Sequence, residues 1–250
     1  MATPSQAIPQ PPLRVPPSPL ARRERRFFGG MALALTVTVF VGFAPSYYLK
    51  AHFGAPPELT GLLHAHGLAF SLWMVVLVAQ TSLVAAGRTD LHRRLGVAGA
   101  ALAVLMTVLG VWLAIERAQQ GLLGNGVVPP LQFLTIPLIG MVVFPALVGA
   151  ALWYRRQSAA HKRFMLIATV ELATAAVARW PGVAELGAPP VFFGIANLFV
   201  AAILAYDLVT LKRVHWATAA GGLVLVGSQV LRLTISDTAA WLAFAGWVTS

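Results

Sequence analysis

Long uncharged apolar runs alternate with short charged clusters along this 250-residue chain. Four of these runs are free of Asp, Glu, Lys and Arg and cover residues 27–49, 59–87, 95–115 and 118–154. A helix needs roughly 20 apolar residues to cross the hydrocarbon core of a bilayer. The fourth run is longer than one crossing, so we place the start of its helix at Pro129-Pro130. The pattern predicts four membrane-spanning helices in the first 154 residues.

The second half of the chain predicts three more crossings and a shorter apolar helix. The crossings cover about 163–180, 186–206 and about 214–233. The final apolar stretch, 239–249, has only about half the residues that a crossing needs. We predict an interfacial helix there, with Trp241 and Trp247 at headgroup level. The predicted fold is an all-α bundle of seven transmembrane helices in one domain, residues 27–250.

A proline-rich basic segment precedes the first apolar run. Residues 1–20 contain seven prolines, and residues 22–26 contain four arginines. Such a composition lacks the apolar surface that folding requires, so we predict a disordered cytoplasmic tail over residues 1–26. The run that follows resembles a signal sequence but is long, and we interpret it as a retained anchor.

The distribution of basic residues predicts the orientation of the bundle. With the N-terminus in the cytoplasm, fourteen Lys and Arg residues lie on the inner side and four on the outer side. The positive-inside rule then predicts a cytoplasmic N-terminus and an external C-terminus, in a bacterial inner (plasma) membrane. The net charge of +10 is carried at helix ends, where anionic lipid headgroups are a simpler partner than nucleic acid. The lipid bilayer is thus the predicted partner, and membrane-protein partners remain open.

Polar side chains within the apolar helices are the candidates for function. His66, Trp73 and Gln80 are seven residues apart and share one helix face, which could line a cofactor, quinone or proton site or could only join helices. Glu171 lies deep in the fifth helix and must be protonated, paired or hydrated, with Arg117 or Arg232 as a partner. The predicted outer-side polar pocket consists of His66, Trp73, Gln80, Glu171, Arg179, Gln229 and Arg232. For Asp207 we predict a local salt bridge with Lys212 or Arg213.

Histidines raise the question of haem and metal. A b-type haem needs two imidazoles at one depth on facing helices. The haem candidates are His66, His92, His161 and His215. The last three lie in basic inner loops, where a hydrated interfacial role is the simpler interpretation. His64 and His66 point to different helix faces, so we predict no metal site.

Two segments resemble known sequences. "GRTDLHRRLGVAGAAL" (87–102) and "HKRFMLIATVEL" (161–172) are similar to segments of uncharacterised bacterial multi-pass membrane proteins, in which a His-Arg/Lys-Arg turn joins two helices. The order His66, Trp73, Gln80, His92 is similar to the same groups. A looser resemblance to membrane b-type cytochromes implies a respiratory setting and leaves haem open as a cofactor.

These observations favour a non-enzymatic function. Acyl or phosphoryl chemistry needs a nucleophile with its base, or carboxylates clustered around a metal, and the eight scattered acids provide neither. We therefore predict a multi-pass membrane protein that acts as an accessory factor or as a permease-like binder of a small ligand. The alternative is a redox protein linked to b-type haem or quinone.

Overall fold

The computed structural model of the chain describes residues 18–54, 59–124, 128–183, 185–187 and 189–250. It is all-helical, with 83% helix and no strand in those ranges. The long helices are α1 Pro19–Phe43, α3 Gly61–Ala85, α4 Thr89–Gln119, α6 Thr135–Trp153, α7 Ser158–Val177, α8 Pro190–Leu211 and α9 Trp216–Ile235. The short helices are α2 Lys50–Phe53, α5 Pro130–Phe133 and α10 Ala239–Val248.

Six helical segments of the described ranges are long and apolar enough to cross a membrane, judged by length and composition. They are Pro19–Tyr48, Gly61–Ala85, Thr89–Gln119, Pro130–Trp153, Pro190–Leu211 and Trp216–Ile235. Their outward faces carry large apolar side chains, including Val97 at 73% exposure and Leu223 at 76%. Such surfaces suit lipid, which cannot hydrogen-bond, far better than water. The fold is therefore consistent with a multi-pass membrane protein.

Helix α7 lies at the centre of the bundle. It corresponds to the predicted crossing at about 163–180, which is not among those six segments. Fourteen of its 20 residues are buried, and it packs against α1, α6, α8 and α9. Its sequence is less apolar because its first two turns contain His161-Lys162-Arg163 and its middle contains Glu171. Neighbouring helices, rather than lipid, supply partners for these polar side chains.

Helix α1 begins earlier than the apolar pattern predicts. Ser18 caps it by accepting a hydrogen bond from the backbone N–H of Ala21 at 3.2 Å, and Pro19 occupies the first helical position, which its fixed φ suits. Residues 19–26, which we assigned to the tail, are thus helical. Arg25 also donates from Nη1 to the carbonyl of Ala85 at 2.8 Å, which fixes this end to α3. Residues 1–17 of the predicted tail lie outside the described ranges.

The short apolar helix at the end of the chain is attached to the bundle through a tryptophan. Helix α10 has ten residues, too few to cross a bilayer. Trp241 donates from Nε1 to the carbonyl of Leu131 in α5 at 2.8 Å, and Trp247 is 73% exposed. One tryptophan therefore holds the helix in place while the other projects outward.

Candidate functional site

A buried ion pair joins the central helix to α9. Arg232 donates from Nη1 to Oε1 of Glu171 at 2.9 Å, and the two side chains are 0% and 4% exposed. Breaking such a pair is costly because the remaining charge is left buried and uncompensated. Of the two partners that the sequence analysis proposed for Glu171, Arg117 and Arg232, the structure thus pairs it with Arg232. This pair is the centre of the candidate site.

Side chains from α8 and α9 complete the surroundings of the guanidinium. Nη2 of Arg232 donates to Oγ of Ser228, one helical turn earlier, at 3.1 Å. Cζ of Arg232 lies 5.7 Å from the ring centroid of Phe193 in α8, within the range of a cation–π interaction. The arginine is therefore held from three sides, by a carboxylate, a hydroxyl and an aromatic face.

An amide pair between α8 and α9 lies next to the ion pair along both helices. Asn197 donates from Nδ2 to Oε1 of Gln229 at 2.7 Å, and Gln229 donates from Nε2 to Oδ1 of Asn197 at 3.2 Å. Asn197 follows Phe193 by four residues, so the two lie on one face of α8. Gln229 precedes Arg232 by three residues, so these two lie on one face of α9. Each side-chain amide can both donate and accept hydrogen bonds, so this amide pair can bind either kind of polar group.

Gly140 brings the backbone of α6 against the carboxylate. A Cβ atom built on Gly140 would lie 2.7 Å from Oε1 of Glu171 and 3.9 Å from Nη1 of Arg232. The first separation is shorter than van der Waals contact allows, so only glycine fits without displacing the carboxylate. Helices α6, α7, α8 and α9 all contribute to the site.

Both members of the ion pair retain unused hydrogen-bonding capacity. Within the described ranges, Oε2 of Glu171 and Nε of Arg232 are buried and have no hydrogen-bond partner. We refer to these two as the open atoms. A buried polar atom without a hydrogen-bond partner costs about 1–3 kcal/mol of stability. A ligand that donates to Oε2 of Glu171 and accepts from Nε of Arg232 would remove this cost at both atoms.

Of the other predicted pocket residues, Gln229 lies at this site and Trp73 contacts α7 nearby. Trp73 donates from Nε1 to Oγ1 of Thr169 at 3.2 Å, and its ring packs edge-on against Phe144 at 5.2 Å between centroids. Thr169 precedes Glu171 by only two residues. Trp73 therefore contacts α7 close to the level of the ion pair, on a different face of the helix.

His66 and Arg179 form a separate group toward the predicted outer side. His66 stacks on Phe70 with 4.0 Å between ring centroids, and it lies close enough to Arg179 for their charges to interact. Arg179 donates from Nη1 to the carbonyl of Ala175 at 2.6 Å, and its Cζ lies 4.5 Å from the ring centroid of Phe43. Eight residues of helix correspond to about 12 Å between the levels of Glu171 and Arg179.

Gln80 lies at the opposite end of its helix, close to the first turn of α4. Its Nε2 is 3.6 Å from the position that a Cβ of Gly96 would occupy, and its backbone carbonyl lies beside the ring of His92. His66, Trp73 and Gln80 therefore share one face of α3, but each contacts a different part of the bundle.

A second buried ion pair corrects the prediction for Asp207. Arg163 binds both carboxylate oxygens of Asp207, with Nε 3.1 Å from Oδ1, and the two side chains are 1% and 0% exposed. Lys212 and Arg213, the predicted partners, are exposed instead. Lys212 has φ 57°, a left-handed conformation that ends α8.

This second pair is fully hydrogen-bonded at the carboxylate. Oδ2 of Asp207 accepts from Oγ1 of Thr218 at 2.6 Å and from the backbone N–H of His215 at 3.1 Å. Arg163 also donates from Nη1 to the carbonyl of Ala159 at 2.8 Å. The sequence analysis did not identify this pair. Its only sequence signal was an arginine within the His161-Lys162-Arg163 turn.

Among the four haem candidates, the structure brings His92 and His161 together, with 6.1 Å between ring centroids and perpendicular planes. His215 caps α9, where Nδ1 accepts from the backbone N–H of Ala217 at 3.1 Å. His66 precedes Gln80 by fourteen residues, so its level in α3 is about 21 Å from the histidine pair.

The part of the chain that the structure describes contains no group of three or more His, Cys, Asp or Glu side chains that could hold a metal ion. No protein-family model matches the sequence. Comparison with curated proteins and with solved structures likewise finds no significant match to this chain.

Proposed function

We propose that this protein is a permease-like, non-enzymatic protein of the bacterial inner membrane that binds a small polar solute at the Glu171–Arg232 pair. The open atoms of that pair are the observation that supports the proposal. Ionisable side chains within a membrane bundle are costly, and they commonly mark substrate or ion sites. A purely structural pair would use its hydrogen-bonding groups as fully as Asp207 uses its carboxylate.

The proposal includes seven crossings, a cytoplasmic N-terminus and an external C-terminus, with α7 as the fifth crossing. Twenty helical residues span about 30 Å, the thickness of the hydrocarbon core. Two of the charges of α7 are neutralised by buried partners, Arg163 by Asp207 and Glu171 by Arg232. A helix surrounded by four others can carry such charges without exposing them to lipid.

The chemistry of the open atoms indicates the class of solute. Oε2 of Glu171 accepts hydrogen bonds and favours a cationic group, whereas the Nε–H of Arg232 donates and favours an anionic one. A molecule with an ammonium and a carboxylate a few bonds apart satisfies both. The proposed ligand is therefore a small zwitterion of the α-amino acid type, and the Asn197–Gln229 amides can adapt to its remaining polar groups.

Thermal unfolding of the detergent-purified protein tests this proposal. The probes are glycine, alanine, acetate and ethylamine at equal concentrations. Binding to the folded state raises the midpoint by mass action, so glycine or alanine should raise it while acetate and ethylamine do not. Glu171→Gln should abolish the shift because it replaces the carboxylate that pairs with the ammonium group.

Asp90→Asn is the matched control. It also removes one carboxylate from an ion pair, with Arg88 at 3.4 Å, but both side chains are more than half exposed. The control should keep the full zwitterion shift. Equal shifts in Glu171→Gln and in the unmodified protein, or no shift with either amino acid, would count against the proposed site.

A further inference from the structure

Three basic side chains from three parts of the bundle gather at its predicted outer end. Arg179 follows α7 by two residues, and its Cζ lies 4.5 Å from the ring centroid of Phe43 in α1. Its guanidinium is within electrostatic range of His66 in α3 and of Arg117 in the last turn of α4. We call His66, Arg117 and Arg179 the outer basic group.

The helix contacts place the imidazole and the Arg179 guanidinium at nearly the same depth. The Trp73–Thr169 hydrogen bond sets a common level for α3 and α7. His66 is seven residues from Trp73, about 10.5 Å toward the predicted outer side. The carbonyl that binds Nη1 of Arg179 belongs to Ala175, six residues from Thr169 and about 9 Å in the same direction. Two cationic groups on different helices therefore lie at one level.

The outer basic group lacks a countercharge. Within the described ranges, neither Arg117 nor Arg179 forms an ion pair with an acidic side chain, whereas both arginines buried inside the bundle do. Glu116, the acid nearest in sequence, instead accepts a hydrogen bond from Nε2 of Gln120 at 3.2 Å. Like charges held together at the edge of a low-dielectric bundle repel each other, and a bound anion would remove that cost.

Two nitrogen atoms in this region also lack hydrogen-bond partners. In the part of the chain that the structure describes, Nε1 of Trp180 and Nδ1 of His66 are buried and unpaired. An indole N–H can only donate, so Trp180 lacks an acceptor, and Nδ1 of His66 donates whenever it carries the proton. Trp180 directly follows Arg179 in the chain. The charges and the hydrogen-bonding groups of this region therefore call for the same kind of ligand, an anion with several acceptor oxygens.

We propose that the outer basic group binds a phosphate group at the predicted outer surface, either that of a phospholipid headgroup or inorganic phosphate. The planar guanidinium of arginine donates two parallel hydrogen bonds to phosphate oxygens, and the charges strengthen both. A phosphate group has enough oxygens to accept from two arginines on different helices at once. Its negative charge would offset the repulsion between Arg117 and Arg179.

The surroundings of the outer basic group suit a ligand that arrives from the membrane surface. Arg179 is exposed, so a ligand can reach its guanidinium without entering the bundle. Val41 of α1 and Leu68 of α3, each two residues from a member or neighbour of the group, are exposed apolar side chains that acyl chains can cover. This inference is independent of the solute-binding proposal, since it uses neither Glu171 nor Arg232.

The test is a calorimetric titration of the detergent-purified, delipidated protein with dioctanoyl phosphatidylglycerol and with dioctanoylglycerol, which has the same chains but no phosphate. The protein should bind the first and not the second. Arg117→Gln and Arg179→Gln should each weaken the affinity by about 10–100-fold, the usual effect of losing a hydrogen bond to a charged group. Arg156→Gln is the control, because Arg156 is exposed on the predicted inner side, and it should bind as the unmodified protein does.

Competition with inorganic phosphate at constant ionic strength uses only the unmodified protein and so does not depend on the variants folding. Displacement of phosphatidylglycerol by millimolar phosphate would assign the site to the phosphate group alone, and retention would assign it to the lipid headgroup. Equal affinity for dioctanoylglycerol, or binding of neither phosphate compound, would overturn the proposal. Unchanged affinity in both Arg117→Gln and Arg179→Gln, or an equal loss in Arg156→Gln, would also overturn it.

Discussion

Arg232 donates from Nη1 to Oε1 of Glu171 across 2.9 Å and so joins α9 to the central helix. Eight residues earlier on α7, Arg163 binds Asp207 of α8. The two pairs are separated by about 12 Å along one helix and attach it to two different neighbours. The carboxylate of Asp207 is fully hydrogen-bonded, whereas that of Glu171 keeps an open atom. We therefore assign a structural role to the Arg163–Asp207 pair and ligand binding to the Glu171–Arg232 pair.

Removing only one member of the Glu171–Arg232 pair should be strongly destabilising. Arg232→Leu leaves Glu171 buried without its countercharge, and breaking buried pairs in this way costs about 3–5 kcal/mol. Replacing both residues by leucine removes both charges, so Glu171→Leu/Arg232→Leu should recover most of the loss. Thermal unfolding in detergent of the two single variants and the double variant measures the coupling. Additive losses in the double variant would show that the two charges do not depend on each other.

Gly140→Ala should disturb the site, whereas Gly149→Ala in the same helix should not. The new Cβ at position 140 would meet Oε1 of Glu171 at 2.7 Å, while a Cβ at position 149 meets no atom within 4 Å. We expect Gly140→Ala to lower the unfolding midpoint and to reduce the zwitterion shift. Gly149→Ala should be neutral or stabilising by up to about 1 kcal/mol, the usual gain of alanine over glycine in a helix. Equal effects of the two substitutions would mean that the close approach of α6 to Glu171 is unimportant.

His215 should make the stability depend on pH. Burial and, secondarily, the positive charge of Arg163 hold the pKa of His215 below its ordinary value of 6.5, and its neutral Nδ1 caps α9. The folded state thus favours the neutral ring, so this contribution is fully present above about pH 6.5 and is lost as the pH falls through the lowered pKa. His215→Asn keeps a capping group that does not titrate.

This pH dependence is tested by measuring the thermal unfolding midpoints of the unmodified protein and of His215→Asn at pH 7.5 and pH 5.5. The unmodified protein should lose more stability on acidification than His215→Asn does. The same loss in both would assign the pH dependence to other groups.

Much of the fold could be predicted because hydrophobic length is a local property of the sequence. Helices α8 and α9 begin and end within about five residues of the predicted crossings, 186–206 and 214–233. The start of α1 was misplaced because the apolar pattern begins at Phe27. The helix itself begins at Pro19, directly after its cap Ser18, and the charged residues 22–26 are part of it.

The partners of the buried charges were harder to predict. Asp207 and Arg163 are 44 residues apart, and only the packing of α7 against α8 brings them together. Proximity in sequence instead favoured Lys212 and Arg213, and both of these side chains are exposed. For Glu171 the sequence left two candidate partners, and the choice of Arg232 depends on which helices are neighbours. The His92–His161 distance likewise depends on helix packing.

Cysteine labelling tests whether α7 crosses the membrane. The chain has no cysteine, so single cysteines can be introduced on either side of this helix. Arg156→Cys precedes α7 and Leu186→Cys follows it, and both positions are exposed. We expect a membrane-impermeant maleimide added to intact cells to label position 186 only. Labelling of both positions, or of position 156 alone, would contradict the predicted topology around α7.

The central claim is that a small zwitterion engages the Glu171 carboxylate, and infrared difference spectroscopy observes that group directly. Spectra of the membrane-reconstituted protein are recorded with and without alanine, using unmodified protein and Glu171→Gln. We predict that alanine shifts a protein carboxylate band in the unmodified protein and that this difference is missing in Glu171→Gln. The same carboxylate difference in both proteins, or no difference in the unmodified protein, would contradict the proposed site.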